Sequence, residues 1–577
     1  MHLPRLQPVR EVRTTQDLFF GLNHNLRLRG GELYDMENLT SDLAPVLSPR
    51  KPRGIVARDQ KLYAMTGRNS LILVEGTGIT VNGIHYDLGL QPGQEEKQVV
   101  NMGAYLVIFP DKVYFNTADP KDFGSLEAST LTAGPVNLIQ CSLDGKPLEI
   151  TYVTGTMPET PADQDWWLDT AEKKLKQYAG ATGIWVVLES PLVKLSCGGI
   201  GRQFRTYDGV ELSGLPVTEL WDLNGSAMLY GQGEDYLIFP GLLEKPTTLE
   251  TPVTAQRLVP LMDYVVESGN RLWGCRYGTD RKGQVVNELY CSKLGDFKNW
   301  SCYLGISTDS YRVSLGSDGP FTGAAVQGGH PLFFKESTLH KVFGQFPSNF
   351  QVQTAACPGV EPGSHRSLAL VGDVLYNKSP DGICAYDGSS PVPCSQALGQ
   401  ENYHKAAAGA LGSKYFVSME GKDGWGLFVY DTDKNLWHRE DDLQARAFCS
   451  CGGELYCWDG DQRLLAMLGS SGEPEESVPW MAESGIIGIS QPGNRTLTKL
   501  QLRLQLEPGS RAEAQVEYDS CGLWESLGTV EGMSLRSFLL PILPRPCDHF
   551  RLRLRGLGRA KLFSVTRVLQ PGGEIRW

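Results

Sequence analysis

Four aromatic positions, Phe334, Tyr376, Phe416 and Tyr456, recur at intervals of 42, 40 and 40 residues, each inside a short apolar run. A 40-residue period of short strands constrains a chain strongly. Each unit buries a face only against its neighbours, so the units must close into a ring of four-stranded blades, a β-propeller. The same grammar of strand, tight Gly/Asp/Asn turn and second strand occurs at 61–74, 104–115, 227–239 and 271–277, giving eight units and an expected six to eight blades. Gly and Pro together supply 99 of 577 residues, the turn punctuation that such a fold needs and a helical bundle does not. A row of β-sandwiches would show the same strands without a fixed period, and neither a WD nor a kelch signature is present.

The rhythm breaks between 137 and 225. There 165–169, 174–178 and 183–188 read as the three strands of a meander in an inserted small β domain. The stretch 469–476, Gly-Ser-Ser-Gly-Glu-Pro-Glu-Glu, reads as a linker. Beyond it, 498–506 and 550–555 alternate apolar and polar residues, the pattern of a sandwich with one wet face. The expected class is therefore all-β: a β-propeller with an inserted small β domain and a C-terminal β-sandwich. Its expected parts are an extended arm at 1–54, first blades at 55–136, the insertion at 137–225, remaining blades at 226–472 and the sandwich at 473–577. Pro45, Pro49 and Pro52 keep the arm out of helix, and an arm of this kind needs a surface to dock on.

Little in the sequence carries chemistry. No apolar run reaches membrane-spanning length, residues 1–8 lack a leader-like apolar core, and no membrane partner is expected. The nine histidines include no His-x-x-x-His pair. Cys449, Cys451 and Cys457 are the best metal candidates, but they lack a fourth ligand and a Cys-x-x-Cys turn, so buried small side chains are the plainer reading. Gly198–Gly201 lacks the dinucleotide spacing, no nucleophile elbow occurs, and nothing places two acids together for glycoside hydrolysis. The segment 518–524 reads as a structural hairpin with Trp524 packed on its own turn. No cofactor, no metal and no catalytic residue are expected.

The net charge of −12 argues against wrapping nucleic acid and is unevenly spread. Residues 491–577 hold eleven Arg and two Lys against eight acids, a net of +5, which leaves −17 on the rest. Arg551, Arg553 and Arg555 stripe one strand face and, with Tyr34, Met36, Asn38, Pro45 and Arg50 of the arm, are the candidate partner-interface residues. An acidic propeller beside a basic domain suits the stacking of unlike surfaces between subunits.

Three stretches carry a resemblance. The arm from Gly31-Glu-Leu-Tyr-Asp-Met-Glu-Asn-Leu39 through Pro45-Val-Leu-Ser-Pro-Arg50 resembles the opening of tailed-bacteriophage virion proteins. Residues 289–300, Leu-Tyr-Cys-Ser-Lys-Leu-Gly-Asp-Phe-Lys-Asn-Trp, resemble their recurring blade element, and 502–554 looks like their terminal sandwich. The resemblance to head–tail stabilisation or tail nozzle proteins implies a propeller with inserted β domains. It also implies a non-enzymatic structural role: a ring, hexameric in a nozzle, at the neck or tail of a phage or prophage virion made in the bacterial cytoplasm. Its partners would be copies of itself and neighbouring neck or tail proteins, with DNA passing through an acidic lumen without specific binding. The alternative is a glycan-binding or sialidase-like propeller of host recognition, whose sialidase-like enzyme version requires an arginine cluster and acids at the propeller mouth.

Overall fold

The computed structural model describes residues 11–93, 96–490 and 493–572. The opening residues considered above for a leader lie outside them. Strands make up nearly all the regular structure, and the only helical turns among the described residues are three short 3-10 turns.

Seven sheets form the propeller. Blades 1 to 7 occupy 62–87, 98–125, 264–314, 323–356, 369–393, 404–439 and 445–466. Blade 7 has three strands of its own and takes its fourth, Gly54–Ala57, from the N-terminal arm. Side-chain bonds link the blades around the ring. Asn101 Nδ2 donates to Thr66 Oγ1 (3.0 Å), Gln98 Nε2 to Asp263 O (2.8 Å), Ser268 Oγ to Gly329 O (2.6 Å) and Gln327 Nε2 to Asp373 O (2.9 Å). Trp458 Nε1 of blade 7 donates to Gln60 O beside blade 1 (3.1 Å) and closes the circle. The apolar clusters lie between successive blades, as a face-to-face stack of sheets requires. Val107, Phe109 and Tyr290 pack between blades 2 and 3, and Trp273, Leu289 and Phe333 between blades 3 and 4. Seven of the eight repeats seen in the sequence are blades. The eighth, 227–239, belongs to the insertion, where its strands pair with Gly209–Ser213 and Leu192–Ser196.

The insertion runs over 128–257, wider than 137–225, because its first strand, Ala128–Leu131, pairs with its last, Thr254–Arg257. Two sheets enclose one core of Leu138, Leu195, Leu212 and Phe239. The meander is a third sheet, with Trp166–Asp169, Lys174–Ala179 and Ile184–Val187 in antiparallel register. Asn299 and Trp300 occupy the join. Trp300 fills the blade 2–3 core, while Asn299 is buried, donates through Nδ2 to Tyr207 O (2.7 Å) and accepts from the Gly209 amide.

In the C-terminal sandwich one strand, Arg495–Tyr518, serves both leaves. Its first half pairs with Ala560–Pro571, and its second half pairs with Phe550–Leu557 beyond a register break between Leu506 and Arg511. Period-2 alternation puts Leu500, Leu502, Leu504, Ala514 and Val516 inside. Both outer edges are covered by the arm: Val12–Gln16 pairs with Ala560–Pro571, and Leu33–Glu37 pairs with Pro479–Ser484. The stretch read as a linker is also fixed, since Glu473–Pro474 pairs beside Gly54–Ala57.

Candidate functional site

The first strands of neighbouring blades pack against one another at the centre of the ring, and those of blades 1, 6 and 7 open at one mouth. A cleft of ≈ 760 Å³ opens there. Blade 1 contributes Tyr63, the approach to blade 2 contributes Glu96, the turn before blade 5 contributes His365 and Arg366, blade 6 contributes Lys405 and Trp425, and blade 7 contributes Arg446.

Arg366 spans the mouth. Its guanidinium donates to Arg446 O (2.8 Å) on blade 7 and to Tyr63 O (3.4 Å) on blade 1. His365 Nε2 lies 3.3 Å from a carboxylate oxygen of Glu96, and its ring packs 5.5 Å from that of Tyr264 on blade 3. Burial lowers the His365 pKa; Glu96 opposes this and Arg366 reinforces it, so the imidazole is neutral at pH 7. Arg366 is itself lowered by burial, with Glu96 pulling the other way and Arg446 adding to the fall, yet a guanidinium stays charged throughout the working pH range. Arg446 lies over the buried Trp458 ring at 5.2 Å, and Trp425 is half-buried at the rim. Lys405 is paired with Glu420 (2.8 Å).

The cleft thus offers two guanidinium groups, a half-exposed indole face and one His–carboxylate contact. Guanidinium groups bind carboxylates in fork geometry, and a flat ring packs the apolar face of a cyclic ligand. Among the described residues lining the cleft Glu96 is the only carboxylate, whereas the usual glycosidase machinery uses two. The sequence did hold a trace of this site: Arg366, Lys405 and Arg446 stand 39 and 41 residues apart, at the approach to blade 5 and in the first strands of blades 6 and 7.

The candidate interface residues lie elsewhere, and the structure brings most of them together inside the chain. Met36 is buried in the core shared by arm, sandwich and blade 6. Asn38 donates to Pro479 O (2.8 Å) and accepts from Arg50 Nε (2.7 Å). Arg50 is buried, 2.7 Å from Glu475 and 3.4 Å from Asp441. Pro45 O accepts from the Phe19 amide (3.1 Å), a bond within the arm. Arg551 reaches Glu483 (3.3 Å) and lies over the Tyr34 ring, while Arg553 binds the same Glu483 (2.6 Å) and lies 3.8 Å from the Trp524 ring. Trp524 therefore stacks on the neighbouring arginine. Arg555 is exposed and has no ionic partner among the described residues. The cysteines are also separated. Cys449 pairs across the hairpin with Tyr456 and Phe448 with Cys457, which puts Cys449 and Cys457 on opposite faces of the sheet, and no metal-binding cluster occurs among the described residues.

No family model and no curated protein matches the chain. Among solved structures it is similar to an exo-β-1,3-galactanase from Phanerochaete chrysosporium with galactose, at 9% identity over 53% of this chain and 95% of that one, with a TM-score of 0.21. A bifunctional GH43-CE protein of Bacteroides eggerthii matches at 8% identity, over 54% and 63% of the two chains, with a TM-score of 0.20. A glycoside hydrolase family 43 arabinoxylan arabinofuranohydrolase from Bacillus subtilis matches at 9% identity, over 52% and 94%, with a TM-score of 0.14. Likeness this slight transfers neither a catalytic residue nor a substrate. These neighbours are nevertheless glycosidases, and none is a phage head–tail, tail or nozzle protein. The expectation of a non-enzymatic tail component is corrected on that finding and is not carried further.

Proposed function

We propose that this protein is a glycan-binding propeller whose mouth takes a saccharide bearing a carboxylate, such as a sialic or uronic acid. One observation carries the reading: Arg366 and Arg446 meet beside Trp425 and the His365–Glu96 pair in a cleft of ≈ 760 Å³, on a chain whose net charge is −12. A basic, partly apolar cleft on an otherwise acidic surface focuses an anionic ligand toward itself. Its volume suits one to a few sugar rings, within the ~300–1,000 Å³ of ordinary ligand sites. The guanidinium groups would hold the carboxylate, the indole would pack the ring face, and the His365–Glu96 pair can exchange a proton with a bound hydroxyl.

Calorimetry against matched acidic and neutral glycans tests this. Acidic members are expected to bind at least tenfold tighter, and Arg446→Gln and Trp425→Ala are each expected to weaken them about tenfold or more. Equal binding of the neutral analogues, or none of either, overturns the reading. Release of free sugar from the same panel would extend binding to hydrolysis.

A further inference from the structure

A second cavity, of ≈ 660 Å³ and sharing no lining residue with the mouth, lies between the sandwich and the strap of arm residues 26–33. Its floor is aliphatic: Leu500, Leu502, Leu552, Leu554 and Leu562 are each no more than 8% exposed. Leu26 and Ile489 stand at its rim, 89% and 56% exposed.

Into this lining projects Arg567. It shares a strand face with Val565 and Leu569, both packed on the sandwich core, and lies directly opposite the inward-facing Leu500. Its Nε is buried without a hydrogen-bond partner, and no carboxylate pairs with it among the described residues. Burial alone acts on it, and lowers its pKa. Among the described lining residues the one acid, Glu32, is engaged by Asn23 Nδ2 and by the Arg29 amide, both at 2.7 Å. Arg27 and Arg29 add two exposed guanidinium groups at the rim. A cation on a core face is costly unless an anion meets it, and the other unpartnered buried polar atom in the described lining, Gln515 Oε1, is neutral.

We propose that this cavity binds a free long-chain carboxylate, with the head group on Arg567 and the alkyl tail along the leucine floor. The site is independent of the propeller mouth and of the reading given for it.

The test uses the full chain, titrated by calorimetry with decanoate, dodecanoate and tetradecanoate below their micellar concentrations, and with dodecanol. Saturable one-to-one binding is expected, tightening roughly tenfold per two added methylenes until the cavity is filled. Dodecanoate should bind at least tenfold tighter than dodecanol. Arg567→Leu should erase that preference while dodecanol still binds, which also reports that the sandwich remains folded. Arg567→Lys should retain the preference, and Ala514→Phe, which fills the floor, should weaken both ligands. Absence of saturable binding, equal affinity for acid and alcohol, or an acid preference that survives Arg567→Leu overturns the proposal. Capture by anionic phospholipid vesicles without dodecanoate binding overturns it as well, in favour of a membrane contact.

Discussion

Arg53 is the side chain whose loss should reveal most about how this chain holds together. It is 2% exposed and directly precedes Gly54–Ala57, the strand that closes the propeller. Its guanidinium donates to Asp441 Oδ2 (2.6 Å) and Glu440 Oε2 (2.7 Å), at the junction of blades 6 and 7, and its amide donates to Glu475 (2.9 Å) on the way to the sandwich. Burial opposes its charge, but Asp441 and Glu440 more than offset that and raise its pKa. Arg53→Met leaves two carboxylates with half their partners. Removing one member of a buried ion pair costs about 3–5 kcal/mol, because the orphaned charge remains desolvated. Arg50 still lies 3.4 Å from Asp441 and 3.8 Å from Glu440, which argues for the lower end, about 3 kcal/mol.

The loss should concentrate on ring closure. Hydrogen exchange is the assay of choice, since a chain of several domains has no single unfolding equilibrium. Amides of Gly54–Ala57 and Leu464–Ala466 are expected to exchange on the order of 100-fold faster, with the insertion unchanged, and the propeller transition should fall by roughly 6–12 °C. Adding Glu440→Gln and Asp441→Asn to Arg53→Met should restore most of the protection, because no charge is then left unpaired. Unchanged exchange in the single variant, or a triple variant worse than the single, would refute the claim that this cluster fastens the ring.

Acid should weaken the fold well above the carboxylate range. Burial depresses His438 to about 3 and His340 to about 4, so both are neutral in the fold but bind protons below about pH 6.5 once unfolded. Their contribution is present above pH 6.5 and lost as pH falls, about 2 kcal/mol each by pH 5. His438→Phe should flatten that slope in urea titrations from pH 7 to 5. Asp441 and Glu475, both lowered by their arginines against burial, act only below about pH 4.5. Gly67→Ala places a Cβ 2.1 Å from Ser450 O, between the innermost strands of blades 1 and 7, and should cost about 1–3 kcal/mol without touching the sandwich transition in a thermal scan. Deleting residues 1–40 bares the edges of Ala560–Pro571 and Pro479–Ser484; light scattering should then show aggregation, and a stable monodisperse product would count against the arm as an edge cover.

Repetition made the propeller readable, because each blade must present the same apolar strand to the same neighbour. It also misled at 227–239, whose Tyr236–Pro240 strand has the blade pattern but pairs within the insertion. Short strands buried on both faces look alike wherever they pair. The insertion boundary was hidden for a related reason: Ala128–Leu131 finds its partner some 125 residues later, and nothing local announces that. The mouth was harder still. His365, Arg366, Trp425 and Arg446 come from three successive blades, and Tyr63 and Glu96 join them only because the ring is closed, so the sole trace in the sequence is the blade-spaced recurrence of basic residues. The cysteines show the reverse case, where closeness in sequence promises a cluster and the register of one hairpin divides it.

The charge split invites a different conclusion once the contacts are traced. A basic last domain and an acidic remainder suggest surfaces waiting for another subunit, and the arm residues suggest a docking segment. Within the chain, Arg50 and Arg53 of the arm meet Glu440, Asp441 and Glu475, while Arg551 and Arg553 converge on Glu483. The arm's arginines thus tie it to the junction of blades 6 and 7 and to the segment leading into the sandwich, while Arg551 and Arg553 are met within the sandwich, on the strand that Leu33–Glu37 edges. The same stretch of backbone edges both leaves of the sandwich and then completes blade 7. Neither domain can finish its sheets until the N-terminal segment has been laid across them. That makes the arm a strap between two domains, and it explains why side chains with the look of an interface, Met36, Asn38 and Arg50, lie buried in a single subunit.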